Sequence, residues 1–204
     1  MVMGTAHTWS RAFDPDRLAM LELRMWKAYY RGHRARLFAL LVQANREQAR
    51  VGWARALLAA FWLAKAAAGF ARSRDDYDRF EAPIARGYRA LGLPTEVDAI
   101  EVARRELRWW VIRRELGLTS GEAAGQAIAA LYAAIYRVPE AAVAEAGRLR
   151  GQAAEVRDRE AADPAGDSGT YWPTVHELLR ASYRSLHETL TAPREVATGP
   201  AVTT

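Results

Sequence analysis

The 204-residue chain contains no cysteine. Disulfide frameworks, zinc ribbons, iron–sulfur clusters and cysteine nucleophiles are therefore excluded as the basis of its fold or its chemistry. The lack of cysteine is compatible with a reducing compartment, and we expect the protein to be cytoplasmic. The segment from Met1 to Arg11 is short and polar, and it lacks the apolar core of a secretory signal.

Lysine is nearly absent. Lys27 and Lys65 are the only lysines among 29 basic residues, and the other 27 are arginines. The planar guanidinium group suits phosphate and carboxylate recognition, but a GC-rich genome also enriches arginine and alanine. The arginines are mixed with Asp and Glu along the chain, and the formal net charge is only +5. Nucleic-acid binding is therefore an alternative that we do not favour.

The chain also lacks the short motifs of common enzyme classes. It contains neither Gly-x-x-x-x-Gly-Lys nor Gly-x-Gly-x-x-Gly, so the usual phosphate-binding loops are excluded. Its four histidines have no metal-binding spacing; they are His7, His33, His176 and His187. No catalytic motif remains from which to predict an activity.

No segment alternates between apolar and polar residues over a useful length, whereas three- and four-residue spacing recurs throughout. The sequence therefore predicts an all-α bundle of about six to eight helices. We expect one helical domain over 14–191, a flexible N-terminus over 1–13 and a disordered tail over 192–204. A polar loop is predicted from Asp163 to Gly169.

Residues with helix-capping properties mark several helix ends. Asp14-Pro15 predicts the start of the first helix, with Asp14 as its N-cap. Thr95 is the predicted N-cap of a later helix that ends at Gly117. The pattern Thr119-x-x-Glu122 predicts a capping box at the start of the next helix.

The stretch from Val51 to Phe70 is the most apolar of the chain. It contains Arg55 and Lys65, which are unfavourable within a bilayer. We therefore predict that this stretch is a buried helix of the bundle and that the protein does not associate with a membrane.

The pattern Glu-Leu-Arg-x-Trp occurs twice, beginning at Glu22 and at Glu106. Each copy lies in a helical stretch and is followed by an alanine-rich stretch with aromatic residues, which suggests two related helical hairpins. In each copy the glutamate falls on the apolar face of its helix. A carboxylate placed there needs a partner, because an unpaired buried charge is strongly unfavourable.

Arginines and aromatic residues near these glutamates indicate two kinds of site. The predicted charge partners are Arg24, Arg105, Arg108 and Arg113. The alternative is a pocket for a small apolar or aromatic ligand, oriented by a few charged groups. The candidate pocket residues are Glu22, Trp26, Tyr30, Glu106, Trp109, Trp110, Tyr132 and Tyr136.

A carboxylate metal centre is the third interpretation. Bundles with ferritin-like architecture bind two metal ions through glutamates and two Glu-x-x-His motifs. Glu22, Glu47 and Glu106 are the only candidate ligands that we assign, and the chain contains no Glu-x-x-His. We therefore favour a protein without a metal site. The alternative is a di-iron or manganese oxidoreductase.

Together these features favour a helical protein that binds a small molecule or another protein through a buried Glu/Arg/aromatic cluster. Tryptophan, tyrosine and arginine are also enriched at protein interfaces. We therefore expect a protein partner or a homo-oligomer.

Overall fold

The computed structural model describes residues 11–162 and 170–193, without the side chains of residues 160 and 161. Within these ranges the chain forms eight α-helices and no β-strand, which confirms the predicted all-α bundle. Predictions for residues 1–10, for the loop over 163–169 and for the tail over 194–204 lie outside the described residues.

The eight helices follow one another through short connections. Two short 3-10 helices, Tyr77–Phe80 and Gly117–Thr119, precede α4 and α6. The helices are α1 (Pro15–Tyr30), α2 (Arg34–Ala49), α3 (Trp53–Arg72), α4 (Glu81–Ala90), α5 (Ala99–Leu116), α6 (Gly121–Tyr136), α7 (Glu140–Ala162) and α8 (Trp172–Thr191).

Each helix packs mainly on the helices before and after it in the chain, and α8 packs back on α1. The eight helices therefore form a closed ring of contacts. One consequence is that inward-facing side chains from distant parts of the sequence, on α1, α4, α5, α6, α7 and α8, meet in one place. The contact between α6 and α7 is the most extensive.

Helices α6 and α7 approach each other through glycines. A Cβ atom added at Gly151 would overlap the carbonyl oxygen of Gly121 and lie 2.8 Å from the backbone nitrogen of Gly125. A Cβ at Gly147 would overlap the carbonyl oxygen of Gly125 and lie 2.8 Å from Ala129. The two backbones are therefore in direct contact, as small residues four apart on each helix permit.

The helix ends confirm some predictions and correct others. The Asp14 carboxylate accepts a hydrogen bond from the backbone of Arg17 at 3.0 Å, and Gly117 ends α5 with φ +54°. The prediction for Thr95 is wrong: Asp98 is the N-cap of α5. The capping box is also wrong, because the Thr119 hydroxyl donates backward to the Leu116 carbonyl at 3.1 Å.

Helix α3 differs most from its prediction. The sequence predicts a buried helix, but only 28% of the most apolar part of α3 is buried. In the part of the chain that the structure describes, α3 is the one helix that is long and apolar enough to cross a membrane. The reason for its exposure is that it packs on α2 and α4 through one side only.

Candidate functional site

Glu22 is the centre of a buried polar cluster. Its side chain is on the inner face of α1, and the residue is 5% exposed. One carboxylate oxygen accepts two hydrogen bonds from Arg150 of α7, at 2.9 Å from Nε and 2.6 Å from an Nη atom. The other oxygen accepts a hydrogen bond from the Tyr183 hydroxyl at 2.5 Å. The predicted burial of Glu22 is thus confirmed, and its charge is paired.

Arg150 connects the two Glu-Leu-Arg-x-Trp copies. Its second Nη atom donates to the Tyr132 hydroxyl at 3.2 Å, and its guanidinium lies 5.6 Å from the ring centre of Trp109. The charge of Arg150 also acts on Glu106. Arg150 therefore binds the carboxylate of the first copy directly and favours the charged form of the second through its charge alone.

Glu106 is held by neutral donors. One of its oxygens accepts from the Tyr88 hydroxyl at 2.8 Å, and the other accepts from the Trp110 indole at 3.1 Å. Burial raises the pKa of Glu106 above its ordinary value of 4.5, although the Tyr88 hydrogen bond and the charge of Arg150 oppose the rise. The two glutamates thus differ: Glu22 has an arginine partner and Glu106 has hydroxyl and indole partners.

Tyr183 and Tyr88 keep their protons. Burial, followed by the charge of Glu22, raises the pKa of Tyr183 well above its usual range. Burial and the charge of Glu106 do the same for Tyr88. Both hydroxyls therefore act as donors to the carboxylates at neutral pH, which suits them to fixing charge and not to acting as bases.

The raised pKa of Glu106 predicts a pH dependence of stability. A carboxyl with a raised folded pKa stabilises the fold fully below its unfolded value of 4.5, and this stabilisation is lost as pH rises through the folded value. Glu106→Gln removes the titration. We therefore expect the unfolding free energy of the wild type, minus that of the variant, to fall as the pH rises above about 4.5. Urea denaturation of both proteins measures it, and a difference that is constant or grows with pH would contradict it.

The predicted charge partners pair elsewhere. Arg105 binds Glu101 at 2.8 Å, and Arg113 binds Asp158. Arg24 and Arg108 are exposed. The prediction that these arginines serve Glu22 or Glu106 is therefore wrong. The physical reason is that Glu22 is bound by Arg150 of α7, which is distant in sequence, whereas Glu106 is bound by Tyr88 of α4 and by Trp110.

The candidate pocket residues are only partly brought together. Trp109, Trp110 and Tyr132 join Glu22 and Glu106 around Arg150. Tyr136 accepts from the Gln48 side chain at 3.2 Å.

Two predicted aromatic residues lie apart from these contacts. Trp26 is partly buried against the hydrophobic core. Tyr30 is 38% exposed and lies under the Arg157 guanidinium, 3.1 Å from the ring centre.

The three candidate metal ligands do not meet. Glu47 is bound by Arg17 at 3.2 Å and by Arg50 at 3.1 Å, and it accepts from the backbone nitrogen of Asp14 at 3.2 Å. Asp14 precedes Glu22 by eight residues, or about 12 Å of helix. Among the described residues, no three His, Asp or Glu side chains are placed to hold one metal ion.

The sequence interpretation missed Arg150, Tyr183 and Tyr88. The signal for Arg150 was its position on the apolar face of α7, one turn from the buried residues Ala146, Gly147 and Ala153. The signal for Tyr183 was similar, since it follows the buried Leu179 by one turn. In this chain the partner of Glu22 is therefore an arginine between two glycines of α7 and not an arginine close to Glu22 in sequence.

Two cavities among the described residues are lined by residues outside this cluster. One is an open cleft of about 670 Å³, lined by charged residues that include Asp16, Arg17 and Arg180. The other is about 50 Å³ and is lined by Arg24, Lys27, Ala28, Arg31, His33 and Arg36. The carboxylates, hydroxyls and guanidinium of the cluster bind one another, although the buried indole nitrogen of Trp109 has no hydrogen-bond acceptor in the part of the chain that the structure describes. These hydrogen bonds connect the helices.

The exposed side of α3 is a second candidate site. Trp53, Leu57, Leu58 and Phe61 are 59%, 52%, 51% and 51% exposed. Because successive residues of an α-helix are rotated by about 100°, these four residues and Ala54 lie within about 140° of the circumference of α3. We call these five residues the apolar α3 face. Isolated exposed hydrophobic residues are ordinary, but a continuous set of them indicates a contact surface.

Cations surround this face. The Arg46 guanidinium lies over the Trp53 ring at 4.6 Å. The neighbouring Trp62 ring is approached by Arg86 at 4.7 Å and by the Lys65 ammonium at 5.2 Å. Helix α3 itself contains no Asp or Glu. The result is an exposed aromatic and aliphatic surface with a positively charged border.

Neither a protein-family model, nor a curated protein, nor a solved structure matches the chain.

Proposed function

We propose that the chain is a non-enzymatic interaction module that docks onto an apolar, negatively charged surface through the apolar α3 face. The observation that carries the proposal is the exposure of four large side chains within nine residues of one helix, with cations at their border. A helix face of this kind is unfavourable in water, and covering it is favourable by the hydrophobic effect.

The buried Glu22–Arg150–Glu106 cluster supports a structural role beside this docking role. Its carboxylates are bound by Arg150, Tyr183, Tyr88 and Trp110. Substrate binding there would require breaking these contacts. The small-molecule and oxidoreductase alternatives therefore have less support than docking through α3.

Single cysteines test the docking role, because the chain has none of its own. Ala54→Cys places a thiol on the apolar α3 face, and Ala181→Cys places one on the exposed side of α8. With the purified protein, we expect a water-soluble maleimide to label both at similar rates. In an extract of the producing cells, with membranes retained, labelling of Ala54→Cys should be severalfold slower because a partner covers it.

Ala181→Cys is the matched control for that comparison. Its rate should be the same in the extract and in buffer. Equal rates for Ala54→Cys in the two media would contradict the proposal, since the face would then be free where its partner is available. Slowing at both positions would also contradict it, because the protection would not be specific to α3.

A further inference from the structure

Positive charge is concentrated in the part of the chain that carries the apolar α3 face. Residues 23–74 contain 11 Lys and Arg residues and one acidic residue, Glu47. This segment therefore has a formal charge of +10, whereas the rest of the chain has a formal charge of −5. Glu47 is itself buried and paired with Arg17 and Arg50. The net charge of the whole protein, +5, does not reveal this difference between the two parts of the chain.

These charges are available to a partner. All 11 cations except Lys27 are exposed, and Lys27 is partly exposed. Four of the 11 line the small cavity between the end of α1 and the start of α2, where only Ala28 and His33 accompany them. The cations in direct contact with the aromatic rings of α3 are Arg46, Lys65 and Arg86.

The side chains of the apolar α3 face are of the kind that enters a bilayer interface. Tryptophan, phenylalanine and leucine beside Lys and Arg are typical of helices that lie in the plane of an anionic membrane. Arg46, Lys65 and Arg86 are close to the Trp53 and Trp62 rings, so cations and aromatic rings are presented together. Arg55 and Lys65 oppose insertion across the bilayer but not contact with its surface.

We infer that the apolar α3 face and the surrounding cations bind the surface of an anionic lipid membrane, with α3 parallel to the bilayer plane. This inference rests on the proposed docking role of α3 and names its partner. The sequence-based expectation was that the protein does not associate with a membrane. That expectation rested on Arg55 and Lys65, which are unfavourable in a helix that crosses the bilayer. The remaining side of α3 stays packed in the bundle through Ala56, Ala59 and Ala60.

Two other occupants fit the surface less well. A second copy of the chain, related by a two-fold axis through α3, would bring together two segments that each have a formal charge of +10. A nucleic acid would match the charge, and Trp53 and Phe61 could stack on bases, but Leu57 and Leu58 offer neither stacking surfaces nor hydrogen bonds to bases. An anionic bilayer can bury the aliphatic side chains in its interface and bind the cations through its headgroups.

Vesicle co-sedimentation of the full chain tests the inference. We expect binding to vesicles of phosphatidylcholine with phosphatidylglycerol, and much weaker binding to phosphatidylcholine alone. Leu57→Ser/Phe61→Ser should weaken binding by about tenfold or more, because two large apolar side chains no longer enter the interface. Leu116→Ser/Leu118→Ser is the matched control, since these leucines are 47% and 46% exposed away from α3, and it should bind as the wild type does.

A second pair of variants tests the charges. Arg46→Gln/Lys65→Gln should weaken binding to anionic vesicles by about tenfold, and added salt should weaken binding of the wild type. Arg108→Gln/Arg148→Gln removes two exposed charges from other helices and should have a much smaller effect. Circular dichroism confirms that each variant is folded.

The outcomes separate this inference from the docking role on which it rests. Absence of vesicle binding, or binding that Leu57→Ser/Phe61→Ser leaves unchanged, overturns the membrane inference. If Ala54→Cys is nevertheless protected in the cell extract, the docking role stands and its partner is not a membrane. A dimer in sedimentation equilibrium that Leu57→Ser/Phe61→Ser dissociates, without vesicle binding, overturns the inference in favour of a second copy.

Discussion

Replacement of Arg150 by methionine is expected to lower the free energy of unfolding by about 3–5 kcal/mol. Methionine keeps most of the side-chain volume but removes the guanidinium that donates twice to Glu22 and once to Tyr132. Glu22 is 5% exposed, so its carboxylate would remain buried with only the Tyr183 hydroxyl as a partner. Removing one partner of a buried pair is far more unfavourable than the pair itself is favourable.

Arg148 provides a control on the same helix. It forms an exposed ion pair with Glu145 at 2.6 Å, and both side chains are about half exposed. Arg148→Met should therefore change the free energy of unfolding by about 0–1 kcal/mol. Urea denaturation of both variants gives the comparison. Equal, small effects at the two positions would show that Glu22 does not depend on Arg150.

The double variant Glu22→Leu/Arg150→Met adds a test of mechanism. It removes both charges together, so no carboxylate is left without a partner. We expect it to be more stable than Arg150→Met alone, because a hydrophobic pair often replaces a buried ion pair without loss. A double variant less stable than either single variant would contradict this explanation.

Gly151→Ala is expected to lower the free energy of unfolding by about 3 kcal/mol or more. Alanine is a better helix former than glycine by about 1 kcal/mol. Helix propensity alone would therefore make the variant more stable, and the expected loss of stability comes from packing. The new Cβ would overlap the Gly121 carbonyl oxygen and lie 2.9 Å from the Gly125 Cα atom. Backbone atoms of α6 cannot move aside as a flexible side chain can, so the two helices would have to separate.

Gly52→Ala is the control for this substitution. A Cβ at Gly52 meets no atom within 4 Å, and the residue has φ −67°. Its effect should be within about 1 kcal/mol. Thermal and urea unfolding of the two variants test the difference. A Gly151→Ala variant that is as stable as the wild type would contradict the close approach of α6 and α7.

The separation of α6 and α7 would also disturb the polar cluster. Arg150 lies next to Gly151, and it donates to Tyr132 of α6. The distance between these helices therefore sets the distance between Arg150 and Tyr132. We regard the glycine contact as the structural basis for the position of Arg150.

Helix positions were predictable from the sequence because they depend on local periodicity and capping. Asp14 and Gly117 mark helix ends by their own chemistry. Thr95 and Thr119 did not act as predicted caps, since Asp98 lies closer to the start of α5 and the Thr119 hydroxyl binds Leu116. Local patterns indicate that a helix begins but do not determine which neighbouring polar residue caps it.

The partners of the buried glutamates were not predictable in the same way. Burial of Glu22 follows from its place on an apolar helix face, which the sequence displays. The identity of its partner depends on which helix packs against α1, and Arg150 is 128 residues away. Arginines close to Glu22 in sequence, such as Arg24, point to other sides of the same helix.

The exposure of α3 was the least predictable feature. Its composition resembles that of a buried helix, and an apolar stretch alone does not tell how many sides are covered. The structure shows packing on α2 and α4, with Trp53, Leu57, Leu58 and Phe61 left exposed. This difference between composition and burial is the basis of the proposed docking role.

Docking through α3 is tested most directly by maleimide labelling of Ala54→Cys in an extract of the producing cells with membranes retained. We expect labelling that is severalfold slower than in buffer, and restoration of the rate when Leu57→Ser/Phe61→Ser is added to the same chain. A rate in the extract equal to that in buffer, with Ala181→Cys also unchanged, would contradict the docking role of this face.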